Sequence, residues 1–368
     1  MFFIIIIIFY FGGYAYAAWR INAGLSLKSP YNTYLFVALA VIGAISILSF
    51  IFSRKAVPVL SQLAPFGYVC MGVLGISICF FLLNDIINLP FFKIKNFRFY
   101  STIAALILIF ISCAWSLINA NFVLRIHEIN LKVPNLKVDS LKIVLLSDLH
   151  ITTYTNPQKF KDIFAKVSDL NPDLIFIVGD IMDTDINKKD KFLDYGFEQL
   201  QAKYGIYAVA GNHEHYMRFN AFFEMFKKLN IPVLQNENAV VENIINVAGI
   251  NDIDFKNPSK IKETLSGVDA QYPVIFLSHR PESFDEASKQ AKDLGFSIIQ
   301  LSGHTHAGQI PPIEIARRFF MKYNHGLYEE NGSRMYVTSG TRFWGPPMRL
   351  FNSNEIAVIN LTAVSSEQ

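Results

Sequence analysis

Two imidazoles one residue apart, His304 and His306, stand in the stretch Gly303-His304-Thr305-His306-Ala307-Gly308-Gln309, just past the apolar run 296–301. Positions two apart on a strand face the same way, and where a buried strand opens into a loop such a pair can reach adjacent metal ions. Four other strand-like runs end in the same manner. Asp148 and His150 follow 141–146, and Asp180 follows 173–178 with Asp183 close behind. Asn212, His213 and Glu214 follow 205–210, and His279 follows 272–277. An α/β sheet builds its sites at the carboxyl ends of its strands, so five such ends carrying ligand-type side chains predict one shared centre.

The donor types narrow the chemistry. A hydroxide that attacks phosphorus must be made at neutral pH and held in line with its leaving group. Two divalent cations about 3.5–4 Å apart do both, and a shared carboxylate bridges them. Aspartate, histidine and asparagine without a thiolate favour Mn, Fe or Zn and discriminate poorly among the three. The three cysteines, Cys70, Cys79 and Cys113, all lie in apolar segments of the first third, so neither a disulfide framework nor a cysteine metal site is available.

The elements that must position these residues fall into two regions. Residues 1–123 carry seven Lys/Arg and a single acid, Asp85, leaving 26 basic and 29 acidic residues for 124–368. The net +3 of the 368-residue chain therefore belongs to short loops of the first third, and no basic stripe points to nucleic acid. Four apolar stretches, roughly 2–19, 33–52, 66–89 and 99–123, are long enough to cross a bilayer. The first lacks a basic leader and a small-residue cleavage site, which argues against a removable signal peptide. Loops 20–32 and 90–98 carry Arg20, Lys28, Lys93, Lys95 and Arg98, while the opposite side has Arg54 and Lys55 and then Arg125, Lys132, Lys137 and Lys142. The count is close to a tie and inclines to an extracytoplasmic C-terminal domain on a multi-pass cell-membrane anchor. Asp85, near the end of the third stretch, reads as an interfacial carboxylate.

From 125 onward the pattern alternates strand and helix. An entry strand over 125–138 ties the domain to the membrane without a flexible linker. Helices are expected over 156–170, 190–203, 219–229, from 257 and over 283–294, with short strands in 233–249 and closing strands at 334–339 and 355–361. Such an order predicts two packed sheets with helices outside.

The ordered motifs Asp148-x-His150, Gly179-Asp180-x-x-Asp183, Gly211-Asn212-His213-Glu214, Ser278-His279-Arg280-Pro281 and Gly303-His304-Thr305-His306 resemble the calcineurin-like metallophosphoesterase family over about 125–362, and its membrane-anchored branch most closely. Ala307 stands where that branch commonly has glycine. The resemblance implies a four-layer αββα sandwich for 125–368, behind an all-α four-helix transmembrane region over 1–124. It implies one metal ion held by Asp148, His150 and His306, and a second by Asn212, His279 and His304, with Asp180 bridging. His213 would protonate the leaving oxygen or orient substrate, positioned by Asp183.

Asn212 is also a candidate for substrate binding, as are Arg280, Arg342 and Arg349, because guanidinium matches phosphate oxygens bidentately; solvated structural arginines are the competing reading for the last three. Glu214 is open between a supporting and a surface role, and His127, His215 and His325 read as ordinary histidines. Residues 313–323 mix Arg317, Arg318 and Lys322 with Phe319, Phe320 and Met321, the pattern of a helix that dips into a lipid interface or of a loop covering the domain's own core. The function expected is a membrane-anchored, dinuclear phosphoesterase. It would act on a phosphate ester or pyrophosphate of the envelope, with lipid-linked substrates and membrane lipid as partners. A UDP-2,3-diacylglucosamine-type lipid-nucleotide pyrophosphatase is the enzymatic alternative, and a membrane scaffold or sensor with an inactive phosphoesterase domain is the alternative outside enzymes.

Overall fold

The computed structural model describes residues 2–54, 63–152, 155–183, 191–217 and 219–364. Four long helices come first: α1 (Phe2–Leu25), α2 (Tyr31–Arg54), α3 (Ala64–Phe91) and α4 (Phe97–Phe122). Three of them, over Tyr31–Ile51, Ala64–Phe91 and Phe97–Phe122, are long and apolar enough among the described residues to cross a membrane. Lys55, one of the expected loop cations, lies outside the described residues. Their outward faces carry large apolar side chains such as Phe66, Leu82, Ile86 and Phe110, while Ile76, Phe81, Ala105, Ile109 and Cys113 pack inward. This is the arrangement expected where the surrounding solvent is itself apolar. Asp85 is paired with Arg20 and accepts the Tyr16 hydroxyl at 2.7 Å, so the one acid of this region is compensated by its neighbours.

The chain divides into two compact units that do not follow a single cut. Met1–Val123 forms the helical unit together with Gly308–Phe320 and Gly345–Ser353, two late segments expected within 125–368. The segment 308–320 contains α10 (Ile313–Phe320), and the loop 345–353 is fixed by hydrogen bonds to α4: the Arg349 amide donates to the Ser116 carbonyl at 2.9 Å, and Asn119 Nδ2 donates to the Arg349 carbonyl at 2.9 Å.

The second unit is α/β. One sheet contains β1 (Leu124–Val133), β11 (Asn354–Ala363), β2 (Ser140–Leu146), β3 (Leu174–Val178) and β4 (Ile206–Val209), in that order. The other runs β5 (Glu237–Val241), β6 (Ile245–Gly249), β7 (Val274–Leu277), β8 (Ile298–Ser302), β10 (Ser333–Val337) and β9 (Gly326–Glu330). The strands β2, β3 and β4 are mutually parallel, as are β6, β7, β8 and β10, so the carboxyl ends of each set open on one edge. The closing strand β11 is parallel to β1 and antiparallel to β2.

Four apolar cores hold this unit among the described residues, the smallest joining Phe284, Tyr323, Met335 and Val337. The first joins residues of both sheets, among them Ile143, Phe176, Val247, Ile275 and Tyr336. A second lies under α5 (Pro157–Asp169) and α7 (Phe219–Lys228), where Phe160, Phe164, Phe222 and Phe226 meet Val144 and Ile175. A third joins Ile261 of α8 (Pro258–Leu265) and Ala287 of α9 (Phe284–Asp293) to Phe276 and Ala248. Two helices start where Asn-Pro pairs stand. The Asn156 side chain accepts the Gln158 amide at the head of α5, and Asn257 does the same for Ser259 and Lys260 at α8, while proline occupies the first turn at no hydrogen-bonding cost.

The helix expected over 190–203 is not formed. Asp190 lies outside the described residues, and Lys191–Tyr195 and Phe197–Gln199 are short 3-10 turns separated by Gly196 at φ 83°. Phe192, Tyr195 and Phe197 are buried in the α5 core, and their packing sets the local backbone in place of helical periodicity. Removing the buried Phe176 ring at the inter-sheet core by Phe176→Ala is expected to cost about 3–5 kcal/mol, read as an earlier denaturant midpoint for the α/β unit.

Candidate metal centre

Each strand end contributes to one cluster. Asp148 and His150 leave β2, Asp180 and Asp183 leave β3, His279 leaves β7, and His304 and His306 leave β8. Asn212 and His213 begin α6 (Asn212–Met217), which follows β4. Three overlapping triads have ligand atoms within 4.8 Å of one another: Asp148/His150/His306, His150/Asp180/His213 and Asp180/His279/His304. Asp180 belongs to two of them. Its Oδ2 lies 3.1 Å from His279 Nε2, 3.8 Å from His213 Nε2 and 4.0 Å from His150 Nε2. His306 Nε2 is 3.3 Å from Asp148 Oδ1 and 3.0 Å from His150 Nε2.

The backbone holds this set under strain. Asp148, His150, Asp180, His304 and His306 all have φ between 45° and 72°, a region that non-glycine residues occupy at a cost and chiefly at functional sites. Gly179, at φ 73°, leaves the space in which His279 Nδ1 and the Gly211 backbone approach; a β-carbon there would meet them at 2.6–2.7 Å.

Hydrogen bonds fix the side chains. Asp183 Oδ1 lies 2.7 Å from both His150 Nδ1 and His213 Nδ1, so a single carboxylate orients two rings and leaves each Nε2 aimed at the cluster. His279 Nδ1 lies 2.9 Å from the Val178 carbonyl, which fixes its proton there and again frees Nε2. Asp148 accepts the Ser147 hydroxyl and the His304 amide, and Asp180 accepts the His213 amide at 2.9 Å.

The charges are interdependent. Burial opposes ionisation of Asp148, Asp180 and Asp183, yet the imidazoles around them outweigh it and hold all three carboxyls well below the usual range. Burial also works against charge on His279, but Asp180 lifts that ring to about 10. Its neighbour His304 is driven down to about 3 by burial and by the charge on His279.

Does this set suit divalent ions? The carboxylates are ionised at neutral pH, His304 is neutral, and no thiol is near. Asn212 Oδ1 is a buried carbonyl oxygen with no hydrogen-bond partner among the described residues, an acceptor that a cation would satisfy. The residues fit hard-to-borderline ions such as Mn, Fe or Zn.

The remaining predicted residues are placed as follows. Arg280 is near the cluster: its Nε donates to Asp252 at 2.9 Å, its guanidinium lies over the Phe255 ring, and its Nη1 is 3.5 Å from His304 Nε2. Arg342 donates its amide to the Asp148 carbonyl, and its guanidinium stacks on Phe160 and Phe343. Arg349 belongs to the helical unit, where it is fully buried and donates to Asn352 Oδ1, so the phosphate-clamp expectation is not met there by an accessible side chain.

Three supporting residues had no decisive signal in sequence. Glu214, left open above, is buried and accepts four backbone amides, from Asp180, Ile181, Met182 and Gly211, at 2.7–3.1 Å. Burial and the charge of Asp180 push its carboxyl up, and the amides of Met182 and Gly211 pull it back. Asp252 orients Arg280. Glu355 accepts Tyr336 Oη at 2.8 Å and donates its own amide to Gly340, which abuts Asp148 and His306.

A family model for calcineurin-like phosphoesterase matches residues 141–308, the span that holds every member of the cluster. These residues belong to the calcineurin-like phosphoesterases. The chain is 29% identical over 325 residues to a Danio rerio transmembrane protein with metallophosphoesterase domain, covering 81% of this chain and 74% of that protein. It is 33% identical over 247 residues to an uncharacterized metallophosphoesterase of Campylobacter jejuni, covering 64% of this chain and 63% of that one. A Bos taurus transmembrane protein with metallophosphoesterase domain is 33% identical over 244 residues, 61% of this chain and 54% of its own length. The matches thus span less than two thirds of the latter two. Residues 141–308 thus carry a calcineurin-like phosphoesterase domain, and three helices among the described residues are long and apolar enough to cross a membrane.

Two outcomes check the supporting residues. Glu214→Gln turns an amide group against backbone N–H donors and is expected to destabilise the α/β unit by about 1.5–3 kcal/mol, seen as a lowered melting temperature in detergent. Burial opposes charge on Glu355, but hydrogen bonds from His325, Thr338 and Tyr336 lower its carboxyl from 4.5 to about 2. A depressed folded value gives stability that is complete above pH about 4.5 and lost as pH falls towards about 2. Melting curves across that window should show a smaller acid loss for Glu355→Gln than for the unmodified protein.

Proposed function

We propose that this protein is a membrane-anchored, dinuclear metal-dependent phosphoesterase. Asp148, His150 and His306 would take one ion, Asn212, His279 and His304 the other, with Asp180 between them. The observation that supports this most is a chain of three ligand triads, two of them sharing Asp180 and two sharing His150, with Asn212 Oδ1 buried and without a hydrogen-bond partner among the described residues. Two ions bound there would supply activated water at neutral pH and charge compensation for phosphoryl oxygens.

The chain's own groups do the rest. His213 Nδ1–H donates to Asp183 at 2.7 Å, which directs Nε2 toward the cluster, from where it would protonate the leaving oxygen. Arg280, braced by Asp252 and Phe255, presents its terminal nitrogens beside His304 to a phosphoryl oxygen. The three larger apolar cores support the four-layer αββα sandwich for the α/β unit.

The helices α1–α4 are read as a multi-pass anchor, with the α/β unit on the extracytoplasmic side according to the loop charges. Only Val123 separates α4 from β1, so the tether is short and favours substrates presented at a membrane surface: a phosphate ester or pyrophosphate of the envelope, lipid-linked compounds included.

Detergent-solubilised protein with Mn²⁺, offered an aryl monoester, an aryl diester, a phospholipid and UDP-diacylglucosamine, tests the reading. Hydrolysis is expected, and Asp180→Asn should lower it about 10²-fold or more together with bound metal. Unchanged turnover in that variant would sink the assignment, and selective cleavage of UDP-diacylglucosamine would make the enzyme a lipid-nucleotide pyrophosphatase.

A further inference from the structure

The helix α10 is turned inside out for a water-facing element. Its outward residues are Ile313, Ile315, Phe319 and Phe320, the last two 75% and 85% exposed, whereas its carboxylate Glu314 is only 8% exposed. Glu314 accepts Asn352 Nδ2 at 2.9 Å, and Asn352 in turn accepts Arg349. Burial pushes the Glu314 carboxyl up to about 7, with Asn352 and Arg349 pulling it back. An amphipathic helix on a water-soluble surface does the reverse, with its polar arc outside and its apolar arc against the core. Polar groups inward and an aromatic pair outward match a solvent of acyl chains.

The segment is firmly seated within the helical unit. Ile310 is part of the apolar core with Ile76, Ile109 and Met348, and the Pro311 carbonyl comes so near Gly75 of α3 that a β-carbon there would stand 2.7 Å from it. The outward face of α10 therefore belongs to the same compact unit as the apolar outer faces of α3 and α4. Arg318, on the exposed side, adds a cation of the kind that binds lipid phosphates.

We infer that α10 is an additional membrane-contact helix, lying in the bilayer interface with Phe319 and Phe320 among the acyl chains and Arg318 among the headgroup phosphates. The inference rests on the membrane-anchored reading of α2–α4. It makes the segment that follows the His304/His306 loop a lipid-contacting element, so the chain is tied to the bilayer on both sides of its metal-ligand motifs in sequence.

Photo-crosslinking of the full chain in phosphatidylcholine/phosphatidylglycerol vesicles tests it. The photoreactive residue p-benzoylphenylalanine replaces Phe320, Phe110 on the outer face of α4, or Leu294 at the end of α9. All three sites are exposed, so the bulky ring can be carried without repacking. Lipid adduct at 320 is expected to match that at 110 and to exceed that at 294 about ten-fold. Adduct at 110 with none at 320 would overturn the inference alone. Absence at both would overturn it together with the membrane reading, and a chain-to-chain adduct at 320 would show that a second copy covers the face instead.

Discussion

Two carboxylates buried side by side, Asp148 at 0% and Asp180 at 2% exposure, impose the constraint from which the site follows. Ionised groups in so little water need compensation at close range, or they take up protons. Here the compensation comes from imidazoles delivered by separate strand ends, and Asp180 raises the His279 ring against the opposing effect of burial. Divalent ions bound as proposed would meet the demand for compensation while leaving the imidazole nitrogens free of protons. The same demand explains why left-handed backbone is tolerated at five ligand positions: the strain is offset by interactions that no relaxed loop could make. Glu214 completes the arrangement from beneath, with its four amide contacts binding the Asp180 turn to the Gly211 turn and so fixing two strand ends against each other.

How much of this was legible beforehand depended on whether the signal was local. Asp148, His150, Asp180, Asn212, His279, His304 and His306 each sit a few residues beyond an apolar strand, as Asp183, His213 and Glu214 do; strand ends on one sheet edge must converge, and the family resemblance singled out the seven as ligands. Asp252 and Glu355 could not be found that way. Their partners, Arg280 for one and Tyr336 and Ser339 for the other, are distant or unremarkable in sequence, and only the fold brings them together. Glu214 was visible beside His213, but nothing local tells a carboxylate that accepts four amides from one that faces water.

The misread elements have equally physical causes. Over 190–203 the apolar residues suit a helix, yet Tyr195 and Phe197 reach the Phe160 and Phe164 rings through 3-10 turns broken at Gly196, with Phe192 buried in the same core. The strand β9 was hidden because an edge strand of the type Gly-Leu-Tyr-Glu-Glu needs no continuous apolar run; it pairs with β10 alone. Arg349 looked like a phosphate ligand because it flanks an aromatic, proline-rich loop. Its amide and carbonyl are instead committed to Ser116 and Asn119 of α4.

That last contact shows a rule that runs through the helical unit. In the α/β unit apolar side chains fill the interior, and its buried charges are those of the strand-end cluster and the carboxylates Glu214, Asp252 and Glu355. In the helical unit the sense is reversed at several points: Arg20 with Asp85, Arg349 with Asn352, and Glu314 with Asn352 are pairings of polar groups turned inward, while phenylalanines and isoleucines cover the outside. Burying such pairs costs desolvation that in water would return little stability. Against hydrocarbon the comparison changes, because an outward-facing charge would be costlier still, so the inward pairing is the lower-energy choice. Reading which groups a segment hides is therefore a test of its solvent. By that test Gly308–Phe320 and Gly345–Ser353, though late in the chain, follow the rule of the helical unit to which they belong.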